Sequence, residues 1–181
     1  MTPIKARANA VPVRDAREGD MAAVQRLYAH HVLRGVATFE ETPPDLDEML
    51  ARRAAVLNSG LPWLVAEVDG VVAGYAYCGP FHARSAFRYT IENSIYVAAD
   101  RLGGGVGAAL LGALIARCEG GPWRQMMAVI GDSGNASSIA LHRKFGFQHE
   151  GLVKSLGFKL DRWLDVVYMR RALGDGDGSP P

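Results

Sequence analysis

Four glycines in five positions, Gly103-Gly104-Gly105-Val106-Gly107, stand between a β-rich run (Thr90 to Val97) and an apolar stretch with helical character (Val106 to Cys118). Glycine lets a backbone turn sharply and come close to a ligand. A helix start adds unpaired N–H groups and the positive end of a dipole. Strand, glycine loop and helix together therefore predict an α/β fold with an anion site at the loop, and four glycines exceed what a tight turn needs. The loop alone leaves the anion open. Gly107 is followed by Ala108 and Ala109 rather than Lys-Ser/Thr, which speaks against a nucleoside triphosphate. A dinucleotide fingerprint can be drawn through Gly103, Gly105 and Ala108, but the nearest acidic candidate, Asp132, falls too late for it.

The rest of the chain fits one domain. It has 181 residues, 49% hydrophobic and 22% charged, enough for a single core without metal or disulfide staples. The net charge of +1 lacks the basic excess expected of a nucleic-acid binder. Cys78 and Cys118 have no metal-ligand spacing and read as reduced thiols. Met1 to Val13 lacks an apolar signal-peptide core, and Gly103 to Ala116 is too short and glycine-rich to span a bilayer, so a soluble cytoplasmic protein is expected. Residues 1–10 read as a flexible lead-in, 11–173 as the domain and 174–181 as a disordered tail.

Periodicity predicts a strand at Val11 to Arg14, a helix from about Gly19 to Leu33 capped by Asp20, and a second helix from Leu46 to Leu57 after the Pro43-Pro44 break. Asp69-Gly70 joins two β-rich runs, Trp63 to Val68 and Val71 to Cys78, as a hairpin. Pro80 to Tyr89 reads as a loop and Gln125 to Ile130 as a strand. A helix at Asn135 to Phe145 and strands at Phe147 to Val153 and Leu164 to Arg170 follow. The order β-α-α-β-β-β-α-β-α-β-β specifies a mixed, mostly antiparallel sheet flanked by about four helices.

Within the strand Thr90 to Val97, Glu92 is the one carboxylate. Burial would raise its pKa and suit it to a general base, whereas on a solvated face it would do nothing. His142 sits on an apolar helix, where a structural core role competes with chemistry. Asn135 is placed to cap its helix. His30 and His31 diverge on their helix, His82 and His149 lack ligand-like partners, and no metal site is expected.

Asn135-Ala136-Ser137-Ser138-Ile139-Ala140-Leu141-His142-Arg143-Lys144-Phe145-Gly146-Phe147 resembles the second signature of the GNAT acetyltransferases, Asn-x-x-Ser/Ala-x-x-Leu-Tyr/His-x-x-x-Gly-Phe. Ser94 to Leu114 resembles their acetyl-CoA pyrophosphate motif. Phe87 to Val97 and Gly157-Phe158-Lys159-Leu160-Asp161-Arg162-Trp163-Leu164-Asp165 are similar to segments of the branch that acetylates phosphinothricin and methionine sulfoximine. The likeness spans roughly Val13 to Leu173. One departure concerns the loop, where Leu102 replaces a common Arg and Gly104 a frequent Lys or Arg, leaving more of the phosphate binding to backbone amides.

The resemblance implies the GNAT fold, acetyl-CoA as cosubstrate without a metal, and direct transfer to the α-amine of a small amino-acid-like acceptor. It gives Glu92 the role of base and offers His142 for proton transfer. It assigns the cofactor to Ile95, Tyr96, Val97, Gly103, Gly104, Gly105, Val106, Gly107, Ala108, Asn135 and Ser138, with a backbone N–H near Ile95 to Val97 holding the thioester oxygen. Acceptor contacts are expected from Phe39, Glu40, Phe81, Arg84, Arg88, Asn93, Lys159 and Trp163; Arg84 and Arg88 offer forked donors for a carboxylate or phosphinate. A homodimer is also implied, with no nucleic-acid or membrane partner. The rival readings are an acetyl-CoA-binding module without catalysis, a protein or peptide N-acetyltransferase, and a nicotinamide-dinucleotide enzyme.

Overall fold

A computed structural model describes residues 11–181. The lead-in expected at residues 1–10 lies outside the described residues. The elements run β1 (Val13–Asp15), α1 (Met21–Arg34), α2 (Leu46–Asn58), β2 (Trp63–Val68), β3 (Val71–Pro80), β4 (Thr90–Val97), α3 (Val106–Glu119), β5 (Gln125–Gly131), α4 (Ala136–Lys144), β6 (Gln148–Lys159) and β7 (Arg162–Ala172). The seven strands form one sheet in the order β1-β2-β3-β4-β5-β7-β6. Every neighbouring pair is antiparallel except β4 and β5, which run parallel on either side of the α3 crossover. The mixed α/β sheet with four helices is thus the architecture that the sequence predicts. β7 slots between β5 and β6, a strand order that the linear sequence does not reveal.

β3 shows how the sheet separates its two layers. Side chains alternate across a strand. Cys78 meets Cys118 of α3, the two free thiols 3.8 Å apart in the core. A Cβ on Gly74 would strike Val106 and Leu110 at 3.0 and 3.1 Å, so α3 lies close against this face. Tyr75 points the other way, edge-on to Tyr28 of α1, and stacks with Trp63 and Tyr77. The β2–β3 hairpin turns at Asp69 and Gly70, both in the left-handed region (φ 55 and 75), as a two-residue turn of this type requires.

One local expectation differs from what is found. Asp20 does not cap α1 through its side chain. Glu18–Asp20 form a 3-10 turn that runs directly into the helix, so Asp20 is already helical (φ −80, ψ −20) and lacks the extended conformation of a cap. Its carboxylate instead receives the Arg17 N–H at 2.6 Å and both terminal nitrogens of Arg14. Residues 174–181, read as a disordered tail, lie in turns after the buried Leu173. Arg124 reaches Ser179, the Pro180 carbonyl and Asp175 there.

Candidate active site

β4 is paired with β3 along its length, from Ile91 opposite Pro80 to Val97 opposite Gly74. Its pairing with β5 stops after three positions, Thr90, Ile91 and Glu92 against Gln125, Met126 and Met127. Beyond Glu92 the strands part, and one edge of the β4 backbone faces open space. A cleft of about 690 Å³ occupies this fork. Glu92, residues 93–97, residues 128–131 of β5 and the start of α4 wall it, and the glycine loop closes one end.

At that end, Gly103 (φ 76) and Gly105 (φ 84) adopt the left-handed conformation, and Gly105 is the N-cap just before α3. The first amide to bond back is that of Ala109, to the Gly105 carbonyl at 3.0 Å. The N–H groups of Val106, Gly107 and Ala108 precede it, all three residues line the cleft, and such orphan amides hold an anion. Gly104 is outside the wall. Arg101 is within it, its guanidinium shared with Asp69 at 3.1 Å and Asp100 at 3.5 Å. Asn135 caps α4, its Oδ1 accepting from the Ser138 N–H at 3.2 Å while its Nδ2 donates to the Gly131 carbonyl at 3.2 Å.

Glu92 stands where the fork begins. It has no hydrogen-bond partner among the described residues, and burial pushes its carboxyl up from 4.5 to about 6. Its neighbour Asn93 is buried, donating Nδ2 to the Met127 carbonyl at 2.8 Å and facing His142 Nε2 with Oδ1 at 3.0 Å. His142 is 4% exposed, and its Nδ1 lies 2.8 Å from the Ser138 carbonyl. Burial lowers its pKa, opposed by that carbonyl. Both ring nitrogens are thus engaged within the protein.

On the opposite wall, the segment 37–40 reaches over the cleft. Tyr28 donates its hydroxyl to Glu40 at 2.8 Å and pairs with Thr38 at 2.8 Å, while Arg52 grips Glu40 at 2.7 Å. Burial alone would raise the Glu40 carboxyl, but the bonds from Arg52 and Tyr28 hold it below its ordinary value. Phe39 lies across Gly131 and Gly157, where a Cβ would overlap its ring.

A family model described as Acetyltransferase (GNAT) family matches residues 24–147. The phosphinothricin N-acetyltransferase of Alcaligenes faecalis is 55% identical over 172 residues, 95% of this chain and 87% of that one. An L-methionine sulfoximine/L-methionine sulfone acetyltransferase of Pseudomonas paraeruginosa is 39% identical, over 93% of this chain and 98% of its own. A phosphinothricin acetyltransferase of Sinorhizobium meliloti, solved in complex with AcCoA, superposes with a TM-score of 0.92 at 44% identity, covering 95% and 93% of the two chains. The chain belongs to the GNAT acetyltransferase family.

In this GNAT acetyltransferase the fold brings together most of the residues that sequence reasoning assigned to acetyl-CoA. Ile95, Tyr96, Val97, Gly103, Gly105, Val106, Gly107, Ala108, Asn135 and Ser138 share one wall with Glu92 and His142; Gly104 alone stands back. The acceptor residues divide. Phe39, Glu40 and Asn93 line the cleft, although the polar atoms of Asn93 face Met127 and His142. Phe81, Arg84, Arg88, Lys159 and Trp163 do not line it. Phe81 packs on Phe87, and Arg84 begins an exposed turn. Arg88 lies over the Tyr89 ring at 4.5 Å, and Trp163 is 63% exposed beside Phe158. Lys159 is 2% exposed, its ammonium donating to the Thr38 carbonyl at 2.7 Å, so it tethers the segment over the cleft.

Sequence reasoning missed Arg101, although a cation two residues before the glycine cluster was a usable signal. It also missed Tyr28, Thr38, Tyr77 and His31, whose Nε2 meets the Val97 carbonyl at 2.9 Å. No local pattern marks these, because α1 (Tyr28 and His31), the segment after it (Thr38) and β3 (Tyr77) converge on the cleft only in three dimensions. Among the described residues no group of three or more His, Cys, Asp or Glu could hold a metal, and no helix is long and apolar enough to cross a membrane.

Proposed function

We propose that the protein transfers the acetyl group of acetyl-CoA to the α-amine of a small amino-acid-like acceptor of the phosphinothricin or methionine sulfoximine type, with Glu92 as general base. The observation that carries this is one continuous cleft holding a partner-free, half-buried carboxyl at one end and orphan helix amides at the other. A carboxylate with its pKa near 6 is ionised at neutral pH yet basic enough to take a proton from an attacking ammonium or amine.

In this reading the amides at the head of α3, aided by Arg101, hold the diphosphate, and the unpaired edge of β4 holds the thioester arm. A β4 N–H between Ile95 and Val97 receives the charge that develops on the thioester oxygen. The amine nitrogen attacks the carbonyl carbon, a C–N bond forms, and the C–S bond breaks with its electron pair leaving on sulfur. Glu92 takes the proton that the nitrogen sheds, and His142 is the source of the proton that the sulfur regains. Phe39 and Glu40 border the acceptor.

A second copy of the chain and a cytoplasmic setting belong to the same reading. Leu152, Val153, Leu156, Phe158, Leu160 and Trp163 are all at least 42% exposed on the β6–β7 hairpin. Exposed apolar side chains gathered on one hairpin favour a partner, and sedimentation of wild-type protein against a Trp163→Glu variant tests it.

The decisive assay for the chemistry is acetyl-CoA-dependent thiol release across phosphinothricin, methionine sulfoximine, methionine sulfone and the ordinary amino acids. Release with at least one acceptor, lost in Glu92→Gln with acetyl-CoA binding intact, is expected. Binding of acetyl-CoA without release for any acceptor would leave a non-catalytic module instead.

A further inference from the structure

The buried contacts around His142 do not balance when the hydrogens are counted. Three hydrogen-bond contacts run in series across the fork: Met127 carbonyl to Asn93 Nδ2 at 2.8 Å, Asn93 Oδ1 to His142 Nε2 at 3.0 Å, and His142 Nδ1 to the Ser138 carbonyl at 2.8 Å. Both ends of the series are carbonyl oxygens, which only accept. Asn93 supplies one hydrogen to the series and a neutral imidazole supplies one more, so two hydrogens must serve three contacts. Reversing the Asn93 amide moves the deficit without removing it, since its oxygen would then face the Met127 carbonyl. The Ser138 hydroxyl, 3.4 Å from Nδ1, cannot relieve the shorter approach of the carbonyl. A ring carrying both hydrogens satisfies all three contacts.

The clasp also has a defined place. It starts from Met127, the last β5 residue paired to β4, so the Asn93 amide takes up the β5 edge just where the backbone ladder stops. It ends on α4, and it joins three elements at the base of the cleft. Of the charged groups on those elements, Glu92 precedes Asn93 on β4, and Arg143 and Lys144 follow His142 on α4; β5 carries none, and none of the three bonds to the ring. Phe147 packs edge-on against the ring at 5.0 Å. The ring's balance between one and two hydrogens is therefore set by burial against its two acceptors.

We propose that Asn93 is a positioning residue of the acetyl transfer: with its amide locked by Met127, its oxygen holds the Nε2 hydrogen of His142 and makes the second ring hydrogen the missing piece of a clasp across β4, β5 and α4. This rests on the acetyl-transfer reading and deepens it. Asn93 itself is too enclosed to bind the acceptor; it raises the readiness of His142 to hold a proton beside the reacting groups.

The test is an NMR titration of the His142 ring in the full-length protein, its signals assigned by their loss in His142→Gln, alongside kcat and KM for the same proteins. Asn93→Ala is expected to lower the proton affinity of the ring about tenfold, the effect of removing one hydrogen bond to a charged group. Asn93→Asp is expected to raise it. For Asn93→Ala, kcat should fall on the order of tenfold to a hundredfold, part of what a placed proton donor contributes. The KM for acetyl-CoA should stay within about threefold, because no binding amide is lost. A ring that titrates identically in wild type and Asn93→Ala overturns the proposal, and so does a lowered affinity with kcat unchanged. Should Asn93→Ala fail to fold, the Asn93→Asp titration decides alone, with an unchanged ring refuting the clasp. The titration does not depend on turnover. A shifted ring in a protein that acetylates nothing would sink the function reading and leave the clasp standing; an active enzyme with an unshifted ring would do the reverse.

Discussion

Glu92 should cost the protein stability at neutral pH. Burial moves its carboxyl from 4.5 to about 6, so the folded state prefers the protonated form more than the unfolded chain does. The sign follows from linkage: the folded state binds more protons between these two values, so stability falls as pH rises through that window and stays lower above it. The difference corresponds to about 2 kcal/mol, a sizeable fraction of a typical domain's margin. Glu92→Gln keeps the shape and removes the ionisation. Urea denaturation of both proteins should therefore give nearly equal stabilities at pH 4 and a variant more stable by up to about 2 kcal/mol at pH 8. The same ionisation should appear in wild-type kcat/KM for a good acceptor, rising with pH through about 6. A variant that gains nothing at pH 8, or loses stability there, would mean that the carboxylate is already satisfied or solvated and is not a poised base.

Three further outcomes are expected. Gly105→Ala places a side chain at φ 84 and should cost about 1–2 kcal/mol while weakening acetyl-CoA binding in calorimetry. Gly104→Ala, without that backbone demand and outside the cleft wall, should stay within about 0.5 kcal/mol and leave binding unchanged. Gly157→Ala would bring a methyl to 2.2 Å from the Phe39 ring, so the ring must swing away; the KM for the acceptor should rise with the melting transition still cooperative, and an unaltered KM would remove Phe39 from the acceptor wall. Arg84→Ala and Arg88→Ala, both outside the wall, should leave the acceptor KM within about twofold, since surface substitutions of this kind rarely propagate; a rise of tenfold would show that their loop folds over the cleft during turnover.

What could be read from the chain followed how local its cause was. Asp69-Gly70 announces its hairpin because both residues tolerate the positive φ they adopt. Leu160 and Asp161 make the matching two-residue turn between β6 and β7 with φ 51 and 56, and a leucine there gives no such signal. β6 was expected to end at Val153 yet continues to Lys159, past a register break between Val153 and Gly157 that interrupts the alternation of side chains. The same division holds in the site. The glycine loop, the Asn135 cap and Glu92 reach the cleft from their own segments and could be placed from sequence. Tyr28, Thr38, His31 and the tether from Lys159 reach the cleft only because α1, the 35–44 segment and the end of β6 converge in three dimensions. Arg84 and Arg88 carry suitable chemistry on a loop that does not line the cleft, which no spacing could have disclosed.

The brevity of the β4–β5 ladder has a mechanical corollary. The backbone ladder that joins the leaf β1-β2-β3-β4 to the leaf β5-β7-β6 along the middle of the sheet is three residue pairs long, extended by the single bond from the Asn93 amide to the Met127 carbonyl. A ligand with amides of its own lying in the gap would mend that seam by bonding to the bare strand edge, so the two leaves should stiffen together when it enters. Amide hydrogens of β4 beyond Glu92 and of β5 beyond Met127 would then exchange quickly in the free protein and slowly once the seam is bridged.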